Sequence, residues 1–230
     1  MTFSISARCP RTGMFGIAVS SSSICVASRC GVWARAGAGV VATQNVTDPR
    51  LGAIGLDLLA RGHSARSAIV QLAASNAHPE YRQIAVVDQD GGTAHYSGAK
   101  TLGLNRVVEG RGCIAAGNIL SSDSVPASMV GAFEAAPDDH LAERLLRGLE
   151  AGLEAGGEEG DVRSAGLYVV ARHVFPLVDL RVDWHESPIG ELRHVWRLYE
   201  PEMEAYLTRA LDPERAPSYG VPGDMPGDNT

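Results

Sequence analysis

The 230-residue sequence has almost no lysine: nineteen of its twenty basic residues are arginine, and Lys100 is the exception. A mechanism that needs a lysine side chain therefore has one candidate. The sequence also lacks an apolar run of the ~20 residues that a membrane-spanning helix requires. Its N-terminal stretch does not show the basic segment followed by an apolar one that marks a secretory signal. We therefore predict a cytoplasmic protein that does not bind a membrane.

The four cysteines form neither a CxxC pair nor a Cys/His cluster with the spacing of a zinc site. A disulfide framework is not expected, and the cysteines are interpreted as reduced, mostly buried thiols. The histidines do not form an HxH or HExxH motif. We therefore predict neither a metal site nor another cofactor.

The negative charge of the chain is concentrated in one segment. Residues 134–161 contain nine acidic residues and two arginines, so this segment carries a net charge of −7, the same as the whole chain. Most of these acids fall on the polar face of an amphipathic helix predicted from Asp138 to Ala155. The sequence has no basic stripe that would neutralise a phosphate backbone, so we predict that nucleic acid is not a partner.

Strand and helix patterns occur in blocks along the chain. A hairpin is predicted by alternating apolar residues at 3–7, turn residues at 10–13 and the apolar run 15–19. Further strands are predicted at 37–43, 84–87, 93–96, 113–116, 167–171 and 177–184, and the last of these shows clean alternation of apolar and polar residues. Pairs of helices are predicted at 49–61 and after Ser64, which can cap the second helix, and at 123–135 and 138–155. This order favours an α+β fold in which helices cover the outer faces of antiparallel sheets.

A single domain is predicted to span residues 1–211. It ends in a helix at 191–211 that is interrupted at Pro201. Because this helix carries more aromatic side chains than one covering layer needs, we predict that the protein forms a homo-oligomer. Residues 212–230 are rich in proline and glycine, and we predict that this tail is disordered or loosely docked.

The second residue, Thr2, is the leading catalytic candidate. Methionine aminopeptidase generally removes Met1 before a small residue, which would leave a threonine with both a hydroxyl nucleophile and a free α-amine as base. Thr2 also begins a predicted strand, so a sheet would hold its backbone. Two alternatives stay open: Thr2 is a common second residue, and Ser97-Gly98-Ala99-Lys100 matches the SxxK pattern of serine acyltransferases.

Several segments together resemble a known family. These are TFSISARCPRTGMFGIAVSS (2–21), VWARAGAGVVATQN (32–45), GLDLLARGHSARSAIVQL (55–72), RQIAVVDQDGGTAHYSGAK (82–100) and the Gly117-Asn118 step. They are similar to the bacterial and archaeal domain-of-unknown-function family 1028, which is grouped with the N-terminal nucleophile (Ntn) hydrolases. The resemblance covers about residues 2–185. It implies a four-layer αββα sandwich of two antiparallel sheets flanked by helices.

The resemblance to proteasome-like Ntn enzymes also implies a catalytic set. Thr2 would be the nucleophile, and Arg35 would supply a positive field beside it. Asn118 would stabilise an oxyanion through its amide or a neighbouring backbone N–H. Asp161 and Ser164 resemble the Asp-x-x-Ser that orients the threonine amine.

Three further residues, Ser20, Gln44 and Gly117, lie in or beside these motifs and are predicted to bind substrate. The implied activity is hydrolysis of an amide bond in a small molecule or amino-acid derivative, without a cofactor. The alternative is a non-catalytic Ntn-fold protein that binds a ligand or works in an assembly.

Overall fold

The computed structural model of the chain describes residues 2–30, 33–221 and 224. One compact unit runs to Arg193, and a second unit begins at His194. The strands of the described residues all lie in the first unit. The single domain of residues 1–211 stays a prediction.

The helices and strands agree closely with the sequence patterns. The strands are β1 (Thr2–Arg8), β2 (Phe15–Ser21), β3 (Trp33–Arg35), β4 (Gly39–Asn45), β5 (Arg82–Val87), β6 (Thr93–Ser97), β7 (Arg106–Gly110), β8 (Cys113–Asn118), β9 (Ser164–Val170) and β10 (Val178–Val182). The helices are α1 (Val26–Arg29), α2 (Arg50–Ala60), α3 (Ala65–Ser75), α4 (Val125–Glu134), α5 (Leu141–Glu154), α6 (Pro188–Tyr199) and α7 (Met203–Leu211). The short elements α1, β3 and β7 were not predicted.

The strands form two antiparallel sheets. The larger sheet has the order β10-β9-β2-β1-β8-β7, and the smaller one has the order β3-β4-β5-β6. Every named strand pair is antiparallel. The prediction of a mixed α and β protein built on antiparallel sheets is therefore confirmed.

The alternation of side chains along β1 shows how the layers are arranged. Phe3 and Ile5 face the helices α4 and α5, since a Cβ added at Gly152 of α5 would lie 3.2 Å from the Phe3 ring. Ser4 points the other way, and its hydroxyl donates to Oε1 of Gln44 on β4 at 2.8 Å. The inner faces of the two sheets therefore pack on each other.

The apolar core has a separate layer on each side of the smaller sheet. Between the sheets it contains Phe15, Ile17, Val40, Ala42, Ala85, Val87, Ile114 and Ala116. On the outer face of the smaller sheet, α2 and α3 pack leucines and isoleucines against Val41, Ile84 and Val86. Each large side chain buried in these layers contributes about 1.5–3 kcal/mol relative to exposure.

The second unit contains the end of α6 and all of α7. A 3₁₀ turn at Glu200–Glu202 separates the two helices, which confirms the predicted interruption at Pro201. The Tyr199 and Tyr206 rings stack with their centroids 6.0 Å apart. Homo-oligomer formation through this region stays a prediction, and part of the tail predicted to be disordered lies outside the described residues.

Within the described part of the chain, the helices are too short or too polar to cross a membrane.

Candidate active site

Thr2 lies in a row of polar residues that crosses the larger sheet. It is the first residue of the central strand β1 and lies opposite Asn118 on β8. Because Phe3 lies opposite Ser20, the next step of the register brings Ser21 of β2 beside Thr2. Ser21 in turn lies opposite Ser164 on β9. Directly opposed residues project to the same face of a sheet, so Asn118, Thr2, Ser21 and Ser164 all face the smaller sheet.

This row is shielded from solvent. Thr2 is 2% exposed, and the other three residues are fully buried. The Thr2 side chain is hydrogen-bonded to Cys30, which directly follows α1 and packs with Val19 and Val26. Burial raises the pKa of the Cys30 thiol, so Cys30 is a neutral thiol at physiological pH and does not compete as a thiolate nucleophile.

Ser164 fixes α1 against the sheet. Its hydroxyl accepts the N–H of Val26 at 3.0 Å and donates to the carbonyl of Ser23 at 2.5 Å. Ser164 therefore holds the short helix that precedes Cys30. Ser20 donates its hydroxyl to the Ser164 carbonyl at 3.0 Å, but its register partner is Phe3. The Ser20 side chain thus lies on the helix-covered face and not in the row with Thr2.

A buried amide network connects the two sheets next to Thr2. Gln83 Nε2 donates to the Gly117 carbonyl at 3.0 Å, and Gln83 Oε1 accepts from Gln44 Nε2 at 2.8 Å and from Asn118 Nδ2 at 3.1 Å. A carbonyl oxygen can only accept, so Gly117 fixes the orientation of the Gln83 amide, and Gln83 then fixes that of Asn118. Among the described residues, the buried Oδ1 of Asn118 has no hydrogen-bond partner.

The chain leaves β8 in a strained conformation. Ile119 has φ +50°, in the left-handed region that β-branched residues rarely occupy. Its carbonyl accepts the N–H of Glu159 at 2.9 Å, and the next residue, Leu120, forms a bridge with Glu158. Backbone strain of this kind concentrates at functional sites. Here it brings the 157–159 segment alongside the end of β8.

Glu158 is a buried carboxyl group that was not predicted from the sequence. It is 5% exposed, and its Oε1 accepts the backbone N–H of Ser22, while Oε2 has no hydrogen-bond partner within the described ranges. Burial raises the pKa of Glu158 to about 7, and the positive charge of the N-terminal amine and the hydrogen bonds from Ser22 offset this only in part. In the sequence Glu158 is one of several acids after the amphipathic helix, and its residue type does not distinguish it from them.

Two predicted catalytic residues lie away from Thr2. Asp161 has an 83% exposed side chain, which pairs with Arg163 at 2.8 Å. Arg35 is 45% exposed and pairs with Asp57 of α2 at 2.8 Å. It lies opposite Gly39, five residues along β4 from Gln44, a separation of ~17 Å. The structure therefore does not bring Arg35 or Asp161 to Thr2.

The SxxK alternative is not assembled as a nucleophile and base. Lys100 is exposed, and its Nζ lies 3.4 Å from Glu80 and 3.2 Å from the Tyr81 hydroxyl. Ser97 ends β6 and accepts a hydrogen bond from Gln83 at 3.3 Å. The SxxK segment thus leaves a strand, whereas this motif normally opens a helix.

We use the name Thr2 cluster for Thr2, Ser21, Cys30, Asn118, Glu158 and Ser164. It offers hydroxyls, one amide, one thiol and one carboxyl group. Among the described residues, groups of three or more His, Cys, Asp or Glu that could share a metal ion are absent. A solvent cleft of about 390 Å³ is lined by Glu158 together with Gly156, Val162 and Glu186, so it borders the Thr2 cluster.

Facing antiparallel sheets with helices on their outer faces, and a buried threonine at the start of a central strand, define the chain as a mixed α and β protein with a polar site between its sheets. Comparison with known proteins is more specific. The family of unknown function DUF1028 matches residues 2–192, and the chain belongs to this family. The predicted family is thereby confirmed.

One similar solved structure is that of protein SPO2555 from Silicibacter pomeroyi, described with the family DUF1028. It is 32% identical, superimposes with a TM-score of 0.78, and the match covers 86% of this chain and 88% of that one. Among curated proteins, none matches this chain.

Proposed function

We propose that the protein is an Ntn-type hydrolase that cleaves an amide bond in a small molecule or amino-acid derivative through Thr2. The observation that carries the proposal is the position of Thr2 at the first residue of a central strand, in a buried polar row and beside an amide network. Membership in DUF1028, and the resemblance of that family to the Ntn hydrolases, support it. The packing of helices, two sheets and helices fits a four-layer αββα sandwich of that class.

In the proposed reaction, removal of Met1 first frees the α-amine of Thr2. That amine takes the proton of Thr2 Oγ1 as the oxygen attacks the substrate carbonyl, and a C–O bond forms. The tetrahedral intermediate then expels the leaving nitrogen, which receives the proton from the amine. Water, activated by the same amine, hydrolyses the ester and releases the acid. Removal of Met1 itself concerns a residue outside the described part of the chain.

The surrounding residues have positioning or electrostatic roles in this proposal. Asn118 lies opposite Thr2, and the second hydrogen of its Nδ2, which Gln83 does not require, is assigned to the developing oxyanion. Gln44 and Gln83 hold Asn118 and Gly117 in place. Arg35, which is paired with Asp57 far along β4, is not included.

A second candidate function is non-catalytic ligand binding or assembly. The observation that favours it is the 2% exposure of Thr2, because a substrate carbonyl must reach the hydroxyl for catalysis. In this alternative, the polar row stabilises the end of the larger sheet and has no catalytic role. A Thr2→Ala variant would then keep the ligand affinity of the wild type.

The two candidates are separated by one series of measurements. Intact-mass spectrometry of protein from its own host is expected to show loss of Met1, and retention in essentially all molecules would exclude the hydrolase mechanism. Small amides, lactams and N-acyl amino acids are then screened for turnover. Thr2→Ala is expected to lose about 10³-fold or more in kcat. A matched Thr93→Ala variant, which lacks a hydroxyl on the other sheet, is expected to keep it.

An acyl-enzyme trap supplies the direct assay. Substrate quenched in acid is expected to leave its acyl mass on the peptide that begins with Thr2. Equal turnover by wild type and Thr2→Ala would refute the proposed function, and equal ligand binding without turnover would favour the second candidate.

A further inference from the structure

We propose that Glu158 is the acceptor for the α-amine of Thr2, which its buried carboxyl group holds in place once Met1 is removed. This inference rests on the proposed function, since it assigns a positioning residue to the same nucleophile. The ammonium held by Glu158 is the resting form: it gives its proton to the Glu158 carboxylate, and the neutral amine then takes the proton of Thr2 Oγ1. It replaces Asp161, which the sequence motif had suggested for this role.

The first argument is the uneven end of the larger sheet. β1 lies between β2 and β8 and begins at Thr2. The segments that follow β2 and β8 continue past that point. On the β8 side, Leu120 pairs with Glu158. On the β2 side, the residue after the strand is Ser22, whose N–H donates to Glu158 Oε1. The Glu158 side chain therefore reaches from one neighbour of β1 to the other, across the place where β1 begins.

The second argument is that two buried acceptors near this place have no donor among the residues that the structure describes. They are Oε2 of Glu158 and Oδ1 of Asn118, and Asn118 lies directly opposite Thr2. A buried acceptor without a partner costs about 1–3 kcal/mol, and more when it carries charge. An ammonium group has three N–H donors and a positive charge. The α-amine of a processed Thr2 would therefore satisfy both acceptors.

The other charged groups around this place do not substitute for Glu158. Glu159 and Asp161 lie on the same segment but are exposed, and Asp161 is paired with Arg163. Glu186 lines the adjoining cleft and is exposed. Cys30, on the α1 side, is a neutral thiol. Of the acidic residues named here, Glu158 is therefore the one whose carboxyl group is buried in the Thr2 cluster.

An opposite charge within ~4–6 Å shifts a pKa by about 1–3 pH units toward the charged form. The Thr2 amine is therefore expected to titrate higher with Glu158 present than without it. Glu158→Gln keeps the shape and the acceptor for Ser22 but removes the charge. The variant is expected to lower the pKa of the Thr2 amine by about 1–3 pH units. Glu159→Gln removes an exposed charge one residue away and is expected to leave it unchanged.

The experiment uses the full chain released from a cleavable N-terminal fusion so that Thr2 is its first residue. The pKa of the amine is obtained from the pH dependence of its acylation by an amine-selective reagent, with the site identified by peptide mass. A lower amine pKa in Glu158→Gln, but not in Glu159→Gln, supports the proposal. Equal amine pKa values in all three proteins would overturn it.

A second measurement needs no variant. Carbon-13 NMR follows the carboxyl group of Glu158 in the chain that begins with free Thr2 and in the same chain N-acetylated at Thr2. Loss of the ammonium is expected to raise the pKa of Glu158, because the linkage between two titrating groups is reciprocal. An unchanged carboxyl titration would overturn the proposal. Neither measurement uses a substrate. A failure to detect turnover would therefore count against the proposed hydrolase function without deciding whether Glu158 holds the Thr2 amine.

Discussion

Replacing Glu158 by glutamine in the chain that retains Met1 tests the buried carboxyl group through stability alone. The pKa of Glu158 is raised from 4.5 to about 7 in the folded protein. Below the lower value, the carboxyl group is protonated in both states. Between the two values, the folded state keeps a proton that the unfolded state has lost, so the folded state loses stability as the pH rises. Above about pH 7 the loss is complete.

The size of the effect follows from the two pKa values. Each tenfold difference in proton affinity corresponds to about 1.4 kcal/mol, so Glu158 is expected to lower the free energy of unfolding by about 3 kcal/mol between acid and neutral pH. Glutamine cannot titrate, and it retains an acceptor for the Ser22 N–H. The Glu158→Gln variant should therefore gain about 3 kcal/mol relative to wild type over this pH range.

Urea unfolding at several pH values between about 4 and about 8 measures this difference. Other titrating groups are common to both proteins and largely cancel in the comparison. Glu159→Gln, at the exposed neighbouring position, is expected to follow the wild type at every pH. A difference between wild type and Glu158→Gln that stays constant within about 0.5 kcal/mol would refute a buried carboxyl group with a raised pKa.

Two further predictions concern packing and the amide network, and urea unfolding at neutral pH checks both. A Cβ at Gly52 of α2 would lie 2.2 Å from the Trp33 indole, so Gly52→Ala is expected to cost about 1–3 kcal/mol. Gly131→Ala on α4, with open space at the Cβ position, should stabilise by up to about 1 kcal/mol, and equal effects would contradict this. Gln83→Leu leaves two buried amide donors without acceptors and should cost at least about 2 kcal/mol. Gln71→Leu on the exposed face of α3 should change stability by less than about 0.5 kcal/mol, and a similar loss in both would exclude the network as the cause.

The larger elements could be predicted because their signals are local. Ser64, for example, was predicted as a helix cap, and its hydroxyl accepts the N–H of Ser67 at the start of α3. The strand β10 was predicted from strict alternation, and its buried and exposed residues alternate in the structure. Such patterns depend on neighbours a few residues away, so the sequence alone displays them.

The short elements α1, β3 and β7 could not be predicted in this way. Four residues in α1 span about one helical turn, and three in β3 span about one and a half strand periods, so neither repeats often enough to show a periodicity. β7 is an edge strand whose residues are only partly buried, so it lacks the apolar alternation of the inner strands. In each case the partner in space, and not the local pattern, determines the structure.

The residues of the candidate site differ in the same way, since some follow from local patterns and others depend on contacts between distant segments. Thr2 and Asn118 were both predicted, and they lie opposite each other because β1 and β8 are central strands with a register set by their buried faces. Asp161 and Arg35 were implied by the resemblance to proteasome-like Ntn enzymes, and a match of positions along the chain carries no information on where a side chain points. Both side chains are exposed, and they form ion pairs with Arg163 and Asp57. Gln83 was missed because the sequence of β5 shows only an amide among apolar residues. It does not show that this amide forms hydrogen bonds to residues of the other sheet.

Glu158 was missed for a further reason, and that reason connects the fold to the proposed chemistry. Its burial depends on three segments that are far apart in sequence: the end of β2, the start of β1 and the strained exit from β8. A carboxyl group placed across the open end of a central strand has little structural value by itself, since replacing it with an apolar side chain would avoid the cost of desolvation. Its cost is offset when a positively charged donor occupies that end. An N-terminal amine on Thr2 is the donor that the chain can supply there, and only the processed form carries it at the residue that also bears the hydroxyl.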